Sequence, residues 1–332
     1  MSDGEQLLLV LSLIYLSGCV FWVDRRTVLF TSGWGRTWKS VAADYRWGNS
    51  SGRFFLLNPF LPLGMVFATR LMPVSVSPDA VVAYNAQTVG NTGRPPQSGR
   101  MASIAPGTAF TRKGSSLVVD GETFCDVGDV ETAHRLVVLL NGIKGRDKSA
   151  REQAILQFWT ERLDLRGVKE RIRTVLAEDG PVRLVCTLVF LLFFVAIPVS
   201  SVWLGVNLAV LFGAVAMLSS AFLICAVYFR CHRRHYPVFQ AGIWSDLIRM
   251  MLCPPTAIRA VDLVMCRLSA PLDMLPMARL LLRGAARESF LSAYLDDLRT
   301  AELPEGLSEV VRETCLWQNR MILRAGGAMA RG

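Results

Sequence analysis

The alternation of apolar and polar stretches divides the chain into segments. Residues 7–23 form a first apolar run, interrupted only by Ser12, Ser17 and Gly18. Its length meets the lower limit for one helical crossing of a hydrocarbon layer about 30 Å thick. Residues 184–229 form a second run with no Asp, Glu, Lys or Arg. As a single helix this run would measure about 69 Å at about 1.5 Å per residue, more than twice the layer, so the pattern predicts two crossings. The turn between them is expected within 198–207, where Pro198, Gly205 and Asn207 weaken a helix and Trp203 suits the membrane–water boundary.

Between the two runs the pattern changes twice. Residues 27–72 mix Phe30, Trp34, Trp38, Tyr45, Trp47, Phe54, Phe55 and Phe60 with Gly and Arg, and keep no helical period. Pro59 and Pro62 argue against a further crossing, so 54–71 is expected to lie against the bilayer or a partner as an interfacial or re-entrant segment. From Pro73 short β-rich stretches begin: Val74-Ser75-Val76, then Ala80-Val81-Val82-Ala83-Tyr84, a polar connection over 87–100, and strands near 108–112, 116–119 and 122–125. A helix is predicted over 130–143, with Asp129 as N-cap and Val130, Ala133, Val137, Leu140 and Ile143 on one side. Amphipathic helices follow over 150–163 and 168–177. Beyond the second apolar run, helices broken by proline are expected over 243–252, 256–268, 277–300 and 307–323.

The order of a small antiparallel sheet followed by one closing helix resembles the bacterial pleckstrin-homology-like (PH-like) module. The likeness rests on Val74-Ser75-Val76-Ser77-Pro78-Asp79, on the strand pair ending Leu117-Val118-Val119-Asp120-Gly121, and on the helix 130–143. It covers 73–143, about a fifth of the chain, with about five strands where the family has seven. The resemblance implies a membrane-proximal or protein-binding domain without catalytic residues of its own.

The expected class is therefore a membrane α-helical protein with three transmembrane helices, one N-terminal anchor plus a helical hairpin. To these are added a small α+β PH-like cytoplasmic module and a C-terminal all-α region. The expected division is an anchor over 1–26, an aromatic-rich interfacial segment over 27–72, and the PH-like module over 73–145. Amphipathic helices over 146–182, the two-helix hairpin over 183–230 and a cytoplasmic helical region over 231–332 complete it.

Composition changes this picture mainly through charge. The chain has 332 residues, a net charge of +9 and a mean hydropathy of +0.36, too apolar for an ordinary soluble domain. All 36 basic residues lie outside the two apolar runs, and Asp3 and Glu5 precede the first run while Arg25 and Arg26 follow it. Basic flanks stay in the cytoplasm, which sets the N-terminus outside and both ends of the hairpin inside a bacterial inner membrane. The +9 then records topology and gives no support to a nucleic-acid partner. Eight cysteines without regular spacing do not form a disulfide framework. Leu16-Ser17-Gly18-Cys19 is similar to a lipoprotein cleavage box, but the acidic leader and the apolar continuation past Cys19 favour an uncleaved anchor.

Candidate chemistry is sparse. Cys231, His232 and His235 are the one dense set of metal-ligand types, yet Arg233 and Arg234 between them oppose a cation. His134 and the pair Asp296-Asp297 read as polar helix surface. No phosphate loop or dinucleotide fingerprint occurs, and no cofactor is expected. Gly205, Ala209 and Gly213 recur every four residues and form a candidate packing seam between transmembrane helices. The expected function is a non-enzymatic scaffold or accessory subunit of a membrane complex, with lipids and other membrane proteins as partners. Two alternatives are a membrane-interface enzyme using the Cys/His set and a lipid or ligand sensor using the PH-like module.

Overall fold

The computed structural model describes residues 3–23, 27–32, 38–42, 53–56, 64–83, 100–178, 180–235, 243–252, 260–300 and 308–329. The described residues are mostly helical (66%), with small three-stranded sheets.

Helix α1 spans Asp3–Gly18. The first apolar run is therefore not one helix to its end. Val20–Val23 form strand β1, antiparallel to β4 (Arg53–Leu56) in the register Val20↔Leu56 to Val23↔Arg53. The physical reason lies in the residues: Gly18 ends the helix, and Val20-Phe21-Trp22-Val23 is β-branched and aromatic, a composition that favours a strand once a partner is present.

The segment expected to be interfacial instead supplies a sheet. Strands β2 (Thr27–Ser32), β3 (Trp38–Ala42) and β5 (Met65–Arg70) are antiparallel in the order β3-β2-β5. Thr27 to Phe30 and Val66 to Thr69 are all buried, so neither strand shows the polar alternation by which half-buried strands are recognised. Tyr45, Trp47 and 57–63 lie outside the described residues.

Two further three-stranded antiparallel sheets follow. One joins β6 (Val74–Val76), β7 (Ala80–Ala83) and β8 (Arg100–Ser103), and the other β9 (Phe110–Lys113), β10 (Ser116–Val119) and β11 (Glu122–Asp126). Strand β8 was not expected; its Arg100-Met101-Ala102-Ser103 is mostly exposed and carries no β-branched residue. Helix α2 (Val130–Ile143) begins where predicted, and the Asp129 carboxylate accepts the Thr132 N–H at 2.6 Å. It packs on β9 and β10, burying Ala133, Leu136, Leu140 and Ile143.

Helices α3 (Lys148–Leu163) and α4 (Leu165–Glu178) lead to α5 (Gly180–Leu191), a π-turn over Leu192–Ala196, and α6 (Ile197–Leu204). The Ile197 N–H donates to Leu192 C=O, one residue further back than in an α-helix, directly before Pro198, which has no N–H. The wider turn absorbs the proline without ending the helix. Gly205 ends it, at φ 78° and ψ 156°, a conformation open to glycine and strained for other residues. Helix α7 (Val206–His235) then returns alongside α6 and α5, so the reversal falls inside the expected 198–207.

The C-terminal region is helical as expected: α8 (Ile243–Leu252), α9 (Ala260–Ser269), α10 (Met274–Leu281), α11 (Gly284–Thr300) and α12 (Glu309–Met329). The helix expected over 277–300 is two helices, separated at Gly284 with φ 55°. These helices close the open sheet edges. Helix α9 lies along β5, where the Ser269 hydroxyl accepts the Ala68 N–H at 2.9 Å and sits 2.9 Å from Ala68 C=O. Helix α12 lies on β6, β7 and α3, and Gln318 meets both backbone groups of the β6 edge. Each edge strand thereby gains partners for main-chain groups that would otherwise be buried unpaired.

Candidate membrane surface and buried polar ties

Between Leu184 and Phe229, most of the described side chains that face outward on α5, α6 and α7 are apolar. Leu184, Leu188, Val195, Val199, Val202 and Trp203 are exposed on the first leg, and Leu208, Leu211, Val215, Leu218 and Phe222 on the second. Trp203 is 83% exposed beside the Gly205 turn, a degree of aromatic exposure that water does not favour. Among the described residues, one helical stretch, Leu211–Arg230 within α7, is long and apolar enough by itself to cross a membrane. The three crossings expected from sequence do not each meet that test: α1 has 16 residues, and α5 and α6 have 12 and 8 on either side of the π-turn. Helix α1 packs on α6 and α7, with Leu9, Val10 and Leu13 exposed. Cys19, the candidate lipidation residue, is fully buried.

The proposed seam divides in two. Ala209 is fully buried on α7, and a side chain added at Gly213 would meet Ile197 of α6 at 3.7 Å, an ordinary contact. Gly213 therefore faces α6. Gly205 lies outside the helix and makes the turn, and nothing stands within 4 Å of where its side chain would be. Its role is conformational.

Cys231, His232 and His235 lie on the last turns of α7, and their side chains are outside those described. Among the described residues no group of three His, Cys, Asp or Glu side chains is placed to hold a metal. His134 is exposed on α2, and Asp296 pairs with Arg299 at 3.2 Å on the exposed side of α11.

Sequence reasoning missed the buried charged groups, which lie singly in distant segments. Arg162 of α3 and Asp273, the N-cap of α10, are 7% exposed each and approach to 3.9 Å. Asp273 also accepts the Leu275 N–H at 3.0 Å and a hydrogen bond from Tyr294 of α11, while the Arg162 guanidinium lies 5.9 Å from the centre of the Trp159 ring. Burial pushes the Asp273 carboxyl above the ordinary carboxylate range despite Arg162 and these donors. One turn before Tyr294, Phe290 meets Phe30 of β2 at 5.7 Å, so the tie connects α3, α10, α11 and the first sheet. Both charged groups are enclosed by packed side chains, which suits a structural tie.

A second tie is at the base of the hairpin. The Tyr228 hydroxyl on α7 donates to Asp246 in the first turn of α8, at 2.5 Å, and both residues are buried. A third joins α4 to α2: Arg171 makes a two-pronged pair with Glu131, one bond at 2.9 Å, and Arg135 adds a contact at 2.8 Å. Burial alone would raise the Glu131 pKa, but the two guanidiniums outweigh it and hold the carboxyl below its usual value. Signals in the sequence were the opposite charges on otherwise apolar helix sides, which carry no information about which pairs meet. No family model matches the chain, and neither a curated protein nor a solved structure matches it.

Proposed function

We propose that the chain is a non-enzymatic membrane scaffold, an accessory subunit of a bacterial inner-membrane complex. It is held by three membrane segments: the short α1 and the two legs of the hairpin. The observation that carries this reading is the outward surface of α5–α7, apolar and uncharged from 184 to 229. The legs 184–203 and 208–229 measure about 30 Å and about 33 Å at 1.5 Å rise, both fitting a ~30 Å hydrocarbon layer. Helix α1, about 24 Å long at the same rise, is the third and shortest segment, packed on the other two. The basic flanks support a cytoplasmic location for the sheets and C-terminal helices, with the N-terminus and the Gly205 turn outside. The PH-like reading of 73–145 belongs to the same proposal, as a cytoplasmic surface for protein contact; the two three-stranded sheets, with α2 packed on β9 and β10, support it.

Extraction in a mild detergent followed by native mass spectrometry tests the subunit reading. A second membrane protein retained in fixed ratio is expected. A stable lone monomer with bound lipid only would contradict it.

A further inference from the structure

Helix α8 has three sides instead of two. At about 100° per residue, Ile243, Asp246, Leu247 and Met250 share one side, and it is turned into the protein. Trp244, Ile248, Met251 and Leu252 share the next, and it is open: they are 62%, 56%, 42% and 81% exposed. Ser245 and Arg249 form the third, exposed and polar. A ten-residue helix that is apolar on a second, outward side is not explained by packing among the described residues.

Its position identifies what covers that side. The Tyr228–Asp246 hydrogen bond fixes α8 at the last uncharged turn of α7, and the Trp244 ring lies 6.5 Å from that of Phe229. The open side therefore continues the apolar surface of the hairpin at the level where charge returns, with Arg230 and Arg233 exposed on α7 and Arg249 on α8. Apolar side chains, a tryptophan and flanking arginines at that depth match the boundary between acyl chains and anionic headgroups.

We infer that α8 is an interfacial helix that lies in the cytoplasmic leaflet, its Trp244, Ile248, Met251 and Leu252 inserted among the lipids and Arg249 at the phosphates. This rests on the hairpin reading above, and it adds a lipid contact outside the crossing segments. The structural cause is the Tyr228–Asp246 bond, which prevents α8 from rotating its apolar side inward.

The test uses the full chain in vesicles of phosphatidylcholine and phosphatidylglycerol, with the photo-crosslinking residue benzoylphenylalanine placed at 248, 252, 245 or, as a hairpin control, 222. Lipid adducts read by mass spectrometry are expected at 248, 252 and 222, in several-fold excess over 245. Adducts at 222 without lipid adducts at 248 and 252, or protein adducts at 248 and 252, would overturn the inference and leave the hairpin intact. Absence of lipid adducts at 222 as well would overturn the hairpin reading and the inference with it. All four positions are exposed or at the helix surface, and an unchanged melting temperature confirms that each variant folds.

Discussion

Gln318 completes the edge strand that Val76 would otherwise leave open. Its side-chain carbonyl accepts the Val76 N–H at 2.8 Å, and its amide nitrogen lies 3.5 Å from Val74 C=O, across a sequence separation of more than 240 residues. One amide side chain thus presents a donor and an acceptor to the strand, as the backbone of a neighbouring strand would.

Gln318→Ala removes both partners from a buried strand edge. The expected loss is about 1–3 kcal/mol, the cost of leaving a buried N–H and C=O unpaired. Hydrogen exchange at the Val76 amide should accelerate more than at Val82 in the middle strand. Unchanged exchange at Val76 would show that the edge is closed by something else.

Tyr228→Phe deletes the hydroxyl that faces Asp246 while keeping the ring. Melting in detergent should show a destabilisation of about 1–3 kcal/mol, because a buried carboxylate loses a donor. Trp244→Ser, on the open side of the same helix, should leave the melting temperature in detergent nearly unchanged. Equal effects of the two substitutions would contradict the assignment of sides.

The two perturbed carboxyls predict opposite pH dependences. Glu131 has its folded pKa lowered from 4.5, so its stabilisation is present above 4.5 and is lost as pH falls through the lower folded value. Glu131→Gln should therefore cost stability at neutral pH, by about 1 kcal/mol for a partly buried pair, and cost nothing in strong acid. Asp273 has its pKa raised from 3.8, so its contribution is fully present below 3.8 and declines as pH rises through the raised value. Relative to Asp273→Asn, the wild type should lose stability as pH climbs from 4. Melting temperatures across pH 3 to 8 check both signs.

Val215 is 57% exposed in the middle of α7, where a soluble protein would accept arginine without penalty. In a membrane helix, Val215→Arg costs about 2.5–3.5 kcal/mol at the bilayer centre. The fraction of chain recovered in the membrane should fall. Normal membrane recovery, or improved solubility without detergent, would count against embedding.

Much of the helical layout was legible because helices announce themselves locally. Asp129 at the start of α2 and Gly205 at the hairpin turn are single residues whose chemistry fixes a boundary. The first sheet was not legible: Val28 to Phe30 and Val66 to Thr69 are covered on both sides, and the covering elements come from residues far along the chain. Phe290 and Ser269 are examples, each more than 200 residues from the strand it meets. Of the three residues of the candidate seam, Gly205 serves the turn, while Ala209 and Gly213 are buried on α7. The ties of Arg162 to Asp273 and Tyr228 to Asp246 depend on long-range packing, which one-dimensional patterns do not contain.

The central claim is that the legs before and after Gly205 cross a membrane and return. Topology reporters fused after residues 26, 205 and 332 test it most directly. The account predicts inside, outside and inside; an inside signal at 205 would contradict it.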